Sequence, residues 1–383
     1  SNNIALTSLF CKSNQLTTLD VSSNTALSNL NCPDNLLTSL DVSSNTDLIS
    51  LDCGTNQLTS LDVSSNTALN SLICISNSLT YLNVKNGLPD QVITFRASQN
   101  SSLTCIETLD PVYATANWTS ANENIDAGVT FDVICGAAAR TNWHVATTGS
   151  DITGSGTLAS PLSSIQTAIN AATVGDTVSV AAGTYVENLV FGGKNLSLIG
   201  ADSSNTIIDG DSVSQVINLR NGEDSTSVIK NFTLRNGIGF QGNGSAILMD
   251  GSDYGPKLEN LCITQNYDNA ITSFGSTFSL KNSRLINNYG RALSIQHTQL
   301  STIDNVIISS NANGIDVKDA SPTFTNCVIS NNTASGSGGG IYSENSSLII
   351  ENSYINNNTS GYQGGGVYIQ DGGDSRIINS FIE

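Results

Sequence analysis

The sequence has few charged residues, very few basic ones and no long apolar run. Only 12% of its 383 residues are charged, against about 25% in an ordinary soluble domain, so the surface must consist largely of Ser, Thr, Asn and Gly. The net charge is −18, from 14 Lys and Arg and 32 Asp and Glu. This balance argues against binding to nucleic acid or to anionic lipid. No apolar stretch approaches the roughly 18 residues of a membrane helix, and we expect no signal peptide within these residues.

The sequence also lacks the motifs that hold common cofactors. It contains two histidines, which nearly excludes a His-based metal site. No P-loop, dinucleotide-binding fingerprint or EF-hand loop occurs. We therefore expect no cofactor, with calcium as the one alternative considered below.

The first hundred residues repeat every 21 positions. One unit, residues 58–78, reads LTSLDVSSNTALNSLICISNS and contains two L-x-x-L-x-(V/C)-x-x-N phrases. Alternate apolar positions in L-x-V and L-x-C predict short strands with one face inward. The asparagine that ends each phrase falls at a turn, where its side chain can satisfy unpaired backbone groups. The columns that keep this step are Cys11, Cys32, Cys53 and Cys74; Leu16, Leu37, Leu58 and Leu79; Leu19, Leu40, Leu61 and Leu82; and Val21, Val42, Val63 and Val84.

This repeat, with D-V-S-x-N-T-x-L followed by L-x-C, resembles the secreted leucine-rich repeat proteins of Bacteroidetes. The resemblance implies an extracellular or outer cell-surface protein that is exported by the type IX route. Ser1-Asn2-Asn3 matches Ser22-Ser23-Asn24, so we expect the chain to begin within a repeat. We expect a sorting domain to lie beyond residue 383.

Residues 88–136 break the period and carry two further cysteines. The stretches LTCI, ATANWT and IDAGVTF resemble the C-terminal cap of the same repeat family, and a solenoid needs such a cap over its last coil. The resemblance implies a disulfide between Cys105 and Cys135, which would place the protein outside a reducing cytoplasm. Two unrelated free thiols are the alternative. The four cysteines of the repeat lie along a line, so we interpret them as buried thiols and not as metal ligands.

The second half of the chain has a different pattern. Ser160-Pro161 predicts the start of a helix, Gly175-Asp176 its end, and residues 177–180 a strand. The stretches HVATTGSD, SPLSSIQTAI and GDTVSVAAGTY resemble the N-terminal cap and first coil of right-handed parallel β-helices of the pectate lyase-like superfamily.

An N-x-x-I-x-x-N phrase marks the later coils, at steps of 21 to 29 residues. Fixed phrases at variable steps are typical of coils whose turns accept insertions. Cys262 and Cys327 lie three coils apart, ~14 Å, too far to bond. The chain ends at Ser380-Phe381-Ile382-Glu383, inside such a phrase, so we expect a fragment of a longer protein. The phrases begin at Asn231, Asn260, Asn282, Asn305, Asn326, Asn352 and Asn379.

The candidate ligand site comes from a second recurring phrase, around Ile247, Ile271, Leu293, Ile315, Ile341 and Val367. The resemblance implies that a substrate would lie on an outer strand face. The outward column after these residues is Leu248, Thr272, Ser294, Asp316, Tyr342 and Tyr368; two positions on, it is Asp250, Phe274, Gln296, Lys318, Glu344 and Gln370. Asp316, Lys318, Tyr342, Glu344 and Tyr368 form its only mixed polar and aromatic patch, which predicts either sugar stacking on the tyrosines or plain solvated surface.

Two acidic patterns have a second interpretation. Asp316 and Glu344 should lie diagonally, roughly 7–8 Å apart, which overlaps the ~6.5–9.5 Å carboxylate spacing of inverting glycosidases. The sequence offers no burial that would raise the pKa of either. Asp20, Asp41 and Asp62 should stack ~4.8 Å apart. Hydrogen bonds to neighbouring Ser and Thr are the favoured explanation of that column, and a line of calcium sites is the alternative.

The sequence therefore predicts a mainly β protein of two tandem solenoids. These are leucine-rich repeats (1–104) with a C-terminal cap (105–136), a linker (137–142), and an incomplete right-handed parallel β-helix (143–383) with a short N-terminal capping helix. We predict a non-enzymatic extracellular adhesin or stalk that binds a glycan or a surface protein. The alternatives are a polysaccharide lyase or glycoside hydrolase with the repeats as targeting module, and a structural spacer without a ligand.

Overall fold

The computed structural model describes residues 3–87, 89–136, 140–239, 244–251, 255–298 and 300–383. These residues form short parallel strands stacked in successive coils, with few helices, so the mainly β solenoid is confirmed. Cα packing divides the chain into two units: Ser1–Ala139 with Asp151–Ser155, and Arg140–Ser150 with Gly156–Glu383. No helix of the described residues has the length and apolarity to cross a membrane.

The first unit contains two parallel sheets whose strands stack coil on coil. Its five-stranded sheet consists of Ser8–Phe10, Asn29–Asn31, Ser50–Asp52, Ser71–Ile73 and Thr94–Arg96. Its four-stranded sheet consists of Ser60–Asp62, Tyr81–Asn83, Cys105–Glu107 and Thr130–Asp132. A 3-10 turn, Pro89–Gln91, and an α-helix, Pro111–Asn117, follow the last 21-residue coils.

Asparagine side chains tie neighbouring coils of the first unit together, as the sequence predicts. Asn56 is buried; its Nδ2 lies 3.1 Å from the carbonyl oxygens of Cys32 and Cys53, and its Oδ1 accepts from the backbone N–H of Leu37. Each such amide thus replaces backbone bonds that a turn leaves unmade. The inward Leu, Val and Cys columns form one continuous core.

The predicted disulfide is present. Cys105 and Cys135 are bonded, with their Cα atoms 5.8 Å apart. Cys32, Cys53 and Cys74 are buried free thiols, as predicted for the repeat cysteines, whereas Cys11 in the first coil is only partly buried and packs against the core. After the period breaks, Trp118 stacks on Phe95 with ring centroids 4.0 Å apart.

The second unit is built on three long parallel sheets. The ten-stranded sheet consists of Asn142–Val145, Thr177–Val180, Ser197–Gly200, Val228–Lys230, Lys257–Glu259, Ser279–Lys281, Thr302–Asp304, Thr323–Thr325, Ile349–Glu351 and Arg376–Ile378. The nine-stranded sheet consists of Gly183–Val186, Thr206–Asp209, Thr233–Arg235, Cys262–Thr264, Arg284–Ile286, Ile307–Ser309, Val328–Ser330, Tyr354–Asn356 and Phe381–Ile382. The eight-stranded sheet consists of Leu189–Val190, Ile217–Leu219, Ile247–Asp250, Ile271–Phe274, Arg291–Gln296, Asn313–Lys318, Ile341–Glu344 and Val367–Gln370. The strands Thr333–Ala334 and Thr359–Ser360, which precede its last two strands along the chain, pair with each other in a small separate sheet.

The start of the second unit differs from the prediction in three details. The helix spans Ile165–Ala171 and is capped by the side chain of Ser164, not by Ser160, and it ends at Ala171, not at Gly175-Asp176. Leu162 instead forms a bridge with Val145, which holds the segment after Pro161 in extended form. Asn142, predicted in the linker, is the first residue of a strand, and residues 137–139 lie outside the described residues.

The recurring asparagine phrase has a structural explanation at both ends. Its first asparagine takes a left-handed backbone conformation, as at Asn305 with φ +54°, where the chain turns from the ten-stranded to the nine-stranded sheet. Its last asparagine is buried and belongs to a ladder of amides. In this ladder Asn311 donates to the carbonyl of Leu285 and to Oδ1 of Asn332, and accepts from the amide of Asn288. The ladder members are Asn266, Asn288, Asn311, Asn332 and Asn358.

Candidate functional site

The structure brings the five predicted patch residues together on the last three strands of the eight-stranded sheet. Asp316 pairs with Tyr342, and Tyr342 pairs with Tyr368 on the next strand. Lys318 pairs with Glu344. Asp316 and Glu344 therefore lie diagonally across neighbouring coils, as the sequence predicts.

The outward column of this sheet is not open along its whole length, which corrects the prediction. Leu248, Thr272 and Ser294 are only 3%, 4% and 0% exposed. At Thr272 the turn before the strand contributes to this burial, since Nδ2 of Asn269 donates to Oγ1 of Thr272. In this column the side chains are buried at these three positions and become accessible from Asp316 onward, whereas Phe274, two positions further along its strand, is 46% exposed.

An arginine that the sequence analysis did not single out completes the site. The Nε of Arg291 lies 3.2 Å from Oδ2 of Asp316, and the Nζ of Lys318 lies 3.5 Å from Oε2 of Glu344. Arg291 begins the strand that precedes the strand of Asp316. On that strand Ser294, three positions after Arg291, is the residue that pairs with Asp316. Its one signal in the sequence is a positive charge at the start of a phrase that otherwise begins with small or amide residues.

Burial changes the acidity of Asp316, which corrects a second expectation. The Asp316 side chain is 21% exposed. Loss of water raises the pKa of its carboxyl above the ordinary value, the Arg291 guanidinium opposes this, and the Glu344 charge adds to it. The sequence could not reveal this burial, because it depends on neighbouring coils.

Two tyrosines form the aromatic side of the site. The rings of Tyr342 and Tyr368 stack with centroids 5.8 Å apart and planes inclined by 22°. The Tyr342 hydroxyl donates to Oε1 of Gln370 at 3.3 Å and lies 3.5 Å from Oε2 of Glu344. Desolvation and then the Glu344 charge raise the pKa of this hydroxyl, so it remains a donor at neutral pH.

A groove of about 330 Å³ runs beside these residues. Arg291, Asp316 and Tyr342 line it together with the turn at residues 335–338. Gly338 closes that turn with φ +70°, where a Cβ would come within 2.6 Å of the Ile341 carbonyl oxygen. The groove thus combines a cation, a carboxylate and an aromatic ring, which together can hold a hydroxyl-bearing ring by hydrogen bonds and stacking.

The acidic column of the first unit is engaged in turns. Each of its carboxylates accepts from the backbone N–H two residues on, at Ser22, Ser43 and Ser64 (3.0, 2.9 and 2.9 Å). Hydrogen bonds from these serines lower the pKa of Asp20 and Asp41. Within the described ranges, no cluster of three or more His, Cys, Asp or Glu is placed to hold a metal ion. Calcium binding by Asp20, Asp41 and Asp62 stays the untested alternative to these hydrogen bonds.

Comparison with known proteins identifies the fold of the second unit. Residues 296–383 match the family described as right handed beta helix region. The second unit is a right-handed parallel β-helix. Every predicted patch residue lies in the matched segment, and Arg291 lies five residues before it.

Several solved structures resemble parts of the chain. Pectate lyase Pel9A is 17% identical, with a TM-score of 0.35, and the match covers 59% of this chain and 56% of that one. For the pectin methylesterase from carrot the identity is 13%, the TM-score 0.33 and the coverage 61% and 89%. For the functional domain of InlJ from Listeria monocytogenes, described as including a cysteine ladder, the values are 18%, 0.24, 78% and 70%. The chain thus spans just over half the length of Pel9A. No curated protein sequence matches it.

Proposed function

We propose that this chain is a non-enzymatic glycan-binding protein of the cell exterior. The observation that carries the proposal is the groove beside Arg291, Asp316 and Tyr342, with the ring of Tyr368 stacked next to it. These side chains stand on neighbouring hydrogen-bonded strands, so they are held in place before a ligand arrives. Each carboxylate of the patch is paired with a basic side chain, which suits hydrogen bonding to sugar hydroxyls better than proton transfer.

The first unit supports an extracellular location. Its disulfide is typical of proteins that fold in an oxidising compartment. We propose that this unit is a leucine-rich repeat array with a C-terminal cap, of the type found in exported Bacteroidetes proteins. Such an array would offer a second extended surface, for a glycan or a surface protein.

Replacement of Tyr342 by alanine should weaken glycan binding about tenfold, because a stacking surface for the sugar ring is lost. Tyr354→Ala is the control, since Tyr354 is a 59% exposed tyrosine on the nine-stranded sheet. A glycan array identifies the tightest ligand, and isothermal titration calorimetry then gives Kd for the wild-type chain and both variants. An array without hits for the folded chain, or an equal Kd for wild type and Tyr342→Ala, would rule out this site.

The second candidate is an enzyme that cleaves polysaccharides, and the raised pKa of the Asp316 carboxyl is the observation that favours it. The Asp316 carboxyl has a raised pKa, and such a group can act as a general acid. Tyr342, which pairs with Asp316, places its hydroxyl 3.5 Å from Oε2 of Glu344. However, Asp316 is the one carboxylate among the described residues that line the groove.

Under the binding proposal, polygalacturonate incubated with the chain should show neither unsaturated-product absorbance nor new reducing ends. An enzyme would show turnover, and Asp316→Asn would lower its rate by at least ~100-fold. Asp371→Asn, at an exposed carboxylate, is the matched control. Turnover that disappears in Asp316→Asn and persists in the control would replace the binding proposal with the enzymatic one.

A further inference from the structure

A second groove lies on another part of the β-helix, at the corner between the nine-stranded and eight-stranded sheets. Its volume is about 640 Å³, within the roughly 300–1,000 Å³ typical of ligand sites. Four exposed polar residues form its floor at equivalent positions of successive coils, and each has a left-handed backbone (φ 55° to 60°). They are Gln265, Asn287, Ser310 and Asn331. Three inter-coil steps between them give a length of about 14 Å.

An aromatic stack closes one end of this groove. Tyr267 and Tyr289 each follow a ladder asparagine, and their rings stack with centroids 5.0 Å apart. They are 52% and 58% exposed, although aromatic residues are only 6% of the chain. The equivalent position in the next coil is Ala312. Its backbone N–H donates to the carbonyl of Asn288, just as the backbone N–H of Tyr289 donates to the carbonyl of Asn266. Because Ala312 is small, the ring face of Tyr289 on that side opens into the groove.

The lining of this groove carries no charge. The described residues around it are amides, hydroxyls, one alanine and Tyr289, in a chain of net charge −18. Amides and hydroxyls both donate and accept hydrogen bonds, so they match the hydroxyls of a sugar. A uronate or sulfated chain would find no cation in the groove and would be repelled by the protein as a whole.

The groove is also rigid. The buried amide ladder runs directly beneath it, with Nδ2 of Asn288 bonded to Oδ1 of Asn311 at 2.9 Å. The backbone N–H of Gln265 donates to the carbonyl of Asn287 in the next coil. A backbone held by such bonds loses less conformational entropy on binding than a mobile loop does.

We propose that this corner groove is a binding site for a neutral oligosaccharide, with one sugar ring stacked on Tyr289 and the following rings lying along the amide and hydroxyl rows. The site is separate from the Arg291 groove, and its ligand is distinguished by the absence of carboxylate and sulfate groups.

The test measures Kd by isothermal titration calorimetry for cellohexaose, mannohexaose and xylohexaose, with hexagalacturonate as the anionic counterpart. At least one neutral probe should bind, and Tyr289→Ala should weaken it about tenfold. Tyr289→Phe should retain binding, because stacking needs the ring and not the hydroxyl. Tyr362→Ala, at an 82% exposed tyrosine, is the control and should leave the Kd of the neutral probe unchanged. Tyr342→Ala is measured beside it, because it reports whether the probe binds in the Arg291 groove instead.

Three results would overturn the proposal: no heat from any neutral probe with the folded chain, an unchanged Kd in Tyr289→Ala, or hexagalacturonate bound as tightly through Tyr289. Loss of binding in Tyr342→Ala instead of Tyr289→Ala would assign the neutral sugar to the Arg291 groove. The Tyr342 and Tyr289 variants therefore separate failure of this inference from failure of the proposed function.

Discussion

Raising the pH from 9 to 11 should lower the free energy of unfolding of the first unit by several kcal/mol. Burial raises the pKa of Cys32 and Cys74 to about 12, and that of Cys53 well above its ordinary value. In the unfolded chain a thiol titrates near ~8.5. Between these values the folded state binds more protons than the unfolded state, so stability falls as pH rises and is fully retained below the unfolded pKa. Each thiol lowers the free energy of unfolding by about 1.4 kcal/mol per pH unit in this range. The three together therefore lower it by up to about 4 kcal/mol per pH unit.

The measurement uses urea unfolding in oxygen-free buffer at pH 8, 9, 10 and 11. The chain has two tryptophans, so Trp143→Phe leaves Trp118 as a reporter of the first unit. Cys53→Ala should reduce the slope of unfolding free energy against pH by about one third, whatever its effect on stability at pH 8. Cys262→Ala, at a partly exposed thiol of the second unit, is the control. Equal slopes for wild type and Cys53→Ala would show that the cysteine column does not cause alkaline unfolding.

Removing the charge of Glu107 should destabilise the first unit by about 3–5 kcal/mol, because a buried ammonium group is left without its partner. The Nζ of Lys85 lies 2.9 Å from Oε2 of Glu107, and the two side chains are 3% and 10% exposed. Glu107 also accepts from the backbone N–H of Cys135 and from the hydroxyl of Tyr81. The pair therefore connects the last repeat coils with the disulfide-bonded segment.

Glu107→Gln isolates the effect of charge, since it keeps the shape and the acceptor oxygen. The double variant Lys85→Met/Glu107→Gln should recover most of the lost stability, because no unpaired charge remains. Asp34→Asn is the matched surface control: Lys12 and Asp34 lie 3.5 Å apart with 61% and 41% exposure, and their loss should cost at most about 1 kcal/mol. Urea unfolding followed through Trp118 measures all three. A double variant as unstable as Glu107→Gln alone would contradict the charge explanation.

Much of the fold follows from sequence columns, because stacked coils place chemically equivalent residues at equal steps. The pairing of Asp316 with Tyr342 and of Tyr342 with Tyr368 follows from aligning recurring phrases. The family resemblance, and not the residue pattern alone, predicts the disulfide. The predicted helix start was wrong because Ser160-Pro161 satisfies local helix rules, whereas the pairing of Leu162 with Val145 keeps the chain extended there.

The site was only partly predictable, because exposure in a solenoid depends on the turns that flank a strand and on contacts with neighbouring strands, as well as on alternation. Strict alternation places Thr272 and Ser294 outside, yet both are buried. The same effect desolvates Asp316, and Arg291 reaches it from the preceding strand. The corner groove shows a different case: Asn288 and Asn311, which end the recurring phrase, line the groove and also belong to the buried amide ladder.

The amide ladder has a consequence for how such a chain can change in length. The first and the last asparagine of the phrase are six positions apart in every complete phrase from Asn260 onward, while the remaining part of the coil differs in length from one repeat to the next. Gain or loss of one whole repeat would therefore leave the ladder contacts between its neighbours chemically the same, and would change the length of the second unit by the spacing of one coil. The length of this unit can thus change in discrete steps, independently of the loops that give each repeat its individual chemistry.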